Sequence, residues 1–163
     1  MEGLKLQSGS DLLVALKKAR EIERDFESIG EWEGYTESKN PSIKEGLLKI
    51  IIDSTDHLEM VSSMIDAVKA PDSSKSDDSA PASFSFPEES MTEALGKILE
   101  NDKFAFRLYS MIEADLADSE IGNLLREEAI PQFRKNLSFL IAAERNHIGL
   151  VTDLTEAMKR INL

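Results

Sequence analysis

Only two histidines occur in this chain, His57 and His147. His57 stands in Asp53-Ser54-Thr55-Asp56-His57-Leu58-Glu59-Met60, which almost spells a helical Glu-x-x-His metal pair but has serine in the glutamate position. His147 closes Glu144-Arg145-Asn146-His147, where the pair is literal. Residues three apart on a helix point the same way, so a carboxylate and an imidazole at that spacing can reach one ion. The chemistry such pairs suggest is divalent-cation binding, and a hydrogen-bonded polar network is the alternative that needs no ion. Neither a glycine-rich phosphate loop nor a Ser-His-Asp arrangement competes with them.

Composition narrows the classes further. The 163 residues fit one domain with a real core, and 41% hydrophobic content is ordinary for a globular protein. Nineteen Lys and Arg against 31 Asp and Glu give a net charge of −12, which argues against nucleic acid and anionic membrane as partners. With no cysteine, disulfides, thiolate-held zinc, iron–sulfur clusters and thiol nucleophiles are excluded. The absence of a long apolar run or a signal-type N-terminus makes a cytoplasmic location the expectation.

The elements that must position these residues are helices, since apolar side chains recur at helical spacing and strand-type alternation is nearly absent. Leu12, Leu13, Ala15, Leu16, Ala19, Ile22 and Phe26 mark a first helix over about 10–28. Asn40 as cap, Pro41 at the first position and Ser42 three before Glu45 open a second, which Pro71 stops. Residues 71–88 are rich in Ser, Asp, Ala and Pro and read as a linker with only Phe84 and Phe86 to pin it. Ser90 three before Glu93 opens a third helix. A fourth segment runs from a cap at Asp118 or Ser119 to Ile161, with Pro131 expected to bend it. The prediction is an all-α single domain over 1–163, a four-helix bundle with hairpin one over 10–70 and hairpin two over 89–162. The second helix is about 42 Å long, and a linker of about 17 residues can return along it, which favours a crossover connection over a simple up-down order.

Paired hairpins with Asp-x-x-x-His-Leu-Glu-Met in the second helix resemble the rubrerythrin-type members of the ferritin-like superfamily, over about 10–69 and 90–140. The resemblance implies a bundle core holding two iron or manganese ions, with a carboxylate from each of two helices and a Glu-x-x-His pair from each of the others. Carried over by position, the ligands fall on Ala19, on Ser54 and His57, on Asp102, and on Gln132 and Lys135. His57 and Asp102 keep a usual ligand type; Ala19, Ser54, Gln132 and Lys135 replace family ligands, and the Lys135 ammonium would sit where a dication belongs. A shift of one turn would instead bring Asp53, Asp56 or Glu100 into the site. In this register Glu144 and His147 lie about 18 Å beyond Lys135, outside the central site, as a solvated pair or a peripheral site of their own.

This ligand count leads to the expectation of a ferritin-like bundle that has lost its di-iron centre, needs no cofactor, and acts by binding or self-association, a homodimer being one open assembly. The alternative is a metal-dependent oxidoreductase using iron or manganese at an altered site, on peroxide, dioxygen or ferrous iron. A helical interaction module of unrelated ancestry is a third class.

Overall fold

A computed structural model describes residues 6, 8–69, 90–116 and 121–161. Among these the chain is all-α, its one extended contact an isolated antiparallel bridge between Val68 and Leu125. Four long helices dominate: α1 (Gly9–Glu27), α3 (Pro41–Ala67), α4 (Met91–Asp115) and α6 (Ile130–Ile161), with single-turn helices α2 (Glu33–Thr36) and α5 (Ile121–Leu124) between them. The proposed linker at 71–88 and the cap at Asp118 or Ser119 lie outside the described residues.

Helix starts follow local chemistry. Ser8 Oγ accepts from Asp11 N, and Asn40 Oδ1 accepts from Ser42 N and Ile43 N, with Pro41 at the first position where its missing N–H costs nothing. Ser90 and Glu93 form a reciprocal capping box at the head of α4. Loss of one such cap costs about 0.5–2 kcal/mol. The last helix departs from expectation. Pro131 does not bend a continuous helix but sits in the first turn of α6, where the ring clashes with no preceding carbonyl, and a 3₁₀ turn over Glu127–Ala129 precedes it.

The long helices pack as a ring. α1 lies along α3, α4 along α6, and the contacts of α3 with α6 and α1 with α4 close it. Their apolar stripes meet in one cluster that includes Leu12, Leu16, Phe26, Leu47, Ile98 and Phe133. Gly46 permits close approach of α3 and α6, because a Cβ there would stand 2.6 Å from Leu154 Cδ1. No helix among the described residues is long and apolar enough to cross a membrane.

Candidate metal centre

Each stripe is interrupted by ionisable or polar side chains, and the interruptions meet. Stepping along α1 through Leu12, Leu16, Ala19 and Phe26, the inward face includes Glu23; on α3 it includes Ser54 and His57, on α4 Asp102, and on α6 Glu144 and His147. All six are buried. His57 Nδ1 lies 3.2 Å from Glu144 Oε1 and 3.4 Å from Glu23 Oε2. His147 Nδ1 lies 3.9 Å from both Asp102 Oδ1 and Glu144 Oε2. Two triads result, Glu23–His57–Glu144 and Asp102–Glu144–His147, each offering three donor atoms within 4.8 Å of one another. Glu144 belongs to both.

This layer is unsatisfied as it stands. Glu23 Oε2, Ser54 Oγ, His57 Nδ1, both oxygens of Asp102, both of Glu144 and His147 Nδ1 are buried without a hydrogen-bond partner. The His57–carboxylate approaches are close enough for charge pairing but are not aligned as hydrogen bonds. Most buried polar atoms in folded proteins are paired, and each one left unpaired costs about 1–3 kcal/mol. Charge pairing with His57 eases Glu23 Oε2 and Glu144 Oε1, but Ser54 Oγ, both Asp102 oxygens, Glu144 Oε2 and His147 Nδ1 remain a large cost for a network closed on itself. The donor set is two imidazoles and three carboxylates, the mix that suits iron, manganese or zinc. Ligand bonds of about 2.0–2.3 Å from two donors to a shared ion can span the separations seen.

The electrostatics show the same tension. Burial pushes the Asp102 carboxyl up, and the negative charges of Glu144 and Glu23 push it further, to about 9. Burial alone would lower the His57 imidazole, but the Glu144 and Glu23 carboxylates overcome this and raise it to about 10. Glu144 is raised by burial, with His57 opposing. His147 is lowered by burial despite Asp53 beside it. Without a cation, then, both Asp102 and His57 favour their protonated forms.

Two further side chains orient the donors. Asp53 Oδ2 lies 2.9 Å from His147 Nε2 and 2.6 Å from Lys49 Nζ. Burial works to raise the Asp53 carboxyl, but Lys49 and His147 prevail and hold it below the usual range. As an anion it accepts from His147 Nε2–H, which fixes the tautomer with the Nδ1 lone pair facing the interior. Buried Tyr109 donates its hydroxyl to Glu23 Oε1 at 2.8 Å. A cleft of about 190 Å³ between α3 and α6, lined by Lys49, Asp53, Asp56, Phe139 and Asn146, leads from the surface to His57.

The sequence-predicted residues divide. His57, Ser54 and Asp102 are in the layer, as placed. Ala19 is buried on the inward face of α1, but the carboxylate stands one turn further on, at Glu23. Gln132 and Lys135 are exposed; Gln132 donates to Asn136 Oδ1 at 2.7 Å, and the Lys135 ammonium stays out of the centre. Glu144 and His147 are neither peripheral nor solvated: they are the α6 pair of the layer itself. The physical reason is axial register in α1, where Ala19 and Glu23 share the inward face, and helical phase in α6. Counting from short motifs set α1 one turn early and α6 three turns early, whereas the buried stripe fixes which side chains face inward. Of the one-turn alternatives, Asp53 enters by way of His147, Asp56 lines the cleft, and Glu100 pairs with Lys103 on the surface at 2.9 Å. Glu23 and Tyr109 escaped the motif search, although both lie on apolar stripes that the sequence displays.

Compared with known proteins, the chain matches no family model, no curated protein and no solved structure.

Proposed function

We propose that the chain is a ferritin-like four-helix bundle of the rubrerythrin kind, two helical hairpins joined by a crossover, whose polar layer binds two iron or manganese ions for an oxidoreductase reaction on dioxygen, peroxide or ferrous iron. The observation that carries this reading is the convergence of buried donors from four helices, most of them unpartnered. The ferritin-like scheme asks for a carboxylate from each of two helices and a Glu-x-x-His pair from each of the other two. Glu23 and Asp102 fit the first requirement, Glu144-x-x-His147 the second, and Ser54-x-x-His57 all but one position. Five of six positions thus carry a usual ligand type once the register follows the apolar stripes.

When bound, the paired ions supply one-electron redox steps to a small oxidant. The chain's own residues do the rest. Glu144 turns Oε1 towards His57 and Oε2 towards His147, and so belongs to both triads. Asp53 holds the His147 ring with its lone pair inward, and Tyr109 holds one oxygen of Glu23, leaving the other free to face His57. Apolar neighbours exclude bulk water, which strengthens every charge interaction inside. The α3–α6 cleft is small enough to favour reactants of a few atoms.

The test is metal analysis after anaerobic loading with ferrous or manganous ion, followed by desalting. About two ions per chain are expected, falling sharply in Glu144→Ala. Wild-type protein that folds but retains no ion would overturn the proposal and return the chain to a metal-free, self-associating bundle.

A further inference from the structure

The two pairs of the layer are not equivalent. α6 supplies both a carboxylate and an imidazole, whereas α3 supplies His57 and leaves Ser54 one turn before it. Ser54 is fully buried and its Oγ has no partner. A serine side chain is shorter than a glutamate, and its O–H donor here has no protein acceptor. Charge points the same way. Glu23, Asp102 and Glu144 bring three negative charges to four positive ones on a pair of divalent ions, and the fourth acid nearby, Asp53, is already engaged by Lys49 and His147.

We propose that the Ser54 position is a binding site for a small exogenous carboxylate, of the size of formate or acetate, which completes the donor set where α3 lacks its own. The inference rests on the dinuclear metal reading. Ser54 Oγ donates a hydrogen bond to the incoming anion, and the anion supplies the missing negative charge. Its route is the α3–α6 cleft, which Asp53 and His57 line. Because Lys49 at the mouth is paired with Asp53 and Asp56 stands beside it, the bound ions and not the lining draw the anion in, and the cleft's volume restricts it to short ones.

The test uses full-length protein loaded with cobalt(II) in carboxylate-free buffer, with bound cobalt measured before any anion is added. Titration with acetate should shift the visible cobalt bands saturably in the wild type. Ser54→Ala should weaken acetate binding by roughly two- to tenfold, the effect of one hydrogen bond, at unchanged cobalt content. Ser54→Glu should bind cobalt more tightly and lose the acetate response, its own carboxylate occupying the place. A wild type that binds cobalt but shows no acetate-dependent shift overturns the inference and leaves the metal reading standing. So does a Ser54→Ala protein with wild-type acetate affinity, a result that holds even if Ser54→Glu fails to fold. Absence of cobalt at the first step overturns both.

Discussion

Two turns of α6 invite comparison, Gln132–Lys135 and Glu144–His147. Each places a polar pair three residues apart on the same helix, yet the first is solvated and the second is sealed in the interior. What separates them is helical phase. The buried face of α6 runs through Phe133, Leu137, Leu140, Val151 and Leu154, and steps of four and three from Leu140 land on 144, 147, 151 and 154. Gln132 and Lys135 straddle Phe133 and fall outside that face. Residue type therefore says little about where a charge will lie, and the apolar frame around it says a great deal. The consequence is energetic as well as geometric, since a charge in water costs nothing to keep whereas a charge in a dry core must find a partner, a proton or an ion.

The sharpest way to break the comparison is Glu144→Ala. This residue faces both His57 and His147, so its loss removes a donor from both triads and leaves the His57 cation with Glu23 alone. Removing one partner of a buried pair costs about 3–5 kcal/mol, and the lower end applies because Glu23 stays. Chemical denaturation of the metal-free protein should read that loss, with bound metal falling well below the wild-type ratio. An unperturbed protein would mean that the buried turn behaves as the exposed one does. Leu140→Ala, one turn before Glu144, should cost about 2–4 kcal/mol by leaving a cavity, but with metal stoichiometry intact. A loss of metal as well would show that packing, not donor identity, shapes the layer.

The same contrast explains how much the sequence disclosed. The helical class, the caps at Asn40 and Ser90, and the inward stripe of α1 follow from periodicity and from side chains that act on their own backbone. His57 and Asp102 were legible by counting positions from short motifs, and in the structure both interrupt the apolar face of their helix. Glu23 breaks its stripe in the same manner, yet it lies beside Ile22 and before Asp25 in a charged segment, where one more acid carries no signal unless the phase is followed turn by turn. The role of Glu144 was hidden for another reason. Its partners lie on α1, α3 and α4, and only the packing of four helices reveals that a pair near the middle of α6 faces a pair near the middle of α3. Pro131 misled as well, because its place in a first turn depends on where the helix begins.

Proton content offers a gentler probe of the buried turn. The folded His57 imidazole, raised from 6.5 to about 10, contributes stability that is complete below about pH 6.5 and is lost as pH rises through 10. Asp102, raised from 3.8 to about 9, likewise keeps in the folded state a proton that the unfolded chain has released. Both make the folded protein the greater proton binder between pH 6.5 and 9, so metal-free stability should fall across that window. The lowered groups, His147 and Asp53, oppose this only at more acid pH. Thermal melts of metal-free protein should drop by several degrees from pH 6.5 to 9, and saturating divalent ion should abolish the drop because ligands bind it deprotonated. A flat or rising profile without metal would contradict the protonated layer. Asp53→Asn should act more quietly still on the fold, weakening metal binding by about 10–100-fold through loss of His147 orientation, as measured by competition with a chelator of known affinity.

The smallest effect belongs to the other turn. Lys135→Ala removes an ammonium that lies in water on α6, out of phase with the core, so unfolding free energy should change by no more than about 0.5 kcal/mol and metal content not at all. The variant matters because it separates two accounts of the same chain. If Lys135 stood in the centre as a substitute cation, its removal would leave Asp102 and its neighbours without a counter-charge, and stability would fall by several kcal/mol. A silent Lys135→Ala beside a damaging Glu144→Ala places the charge balance of the interior with His57, His147 and whatever cation they share. A damaging Lys135→Ala would rotate α6 and dissolve both triads at once.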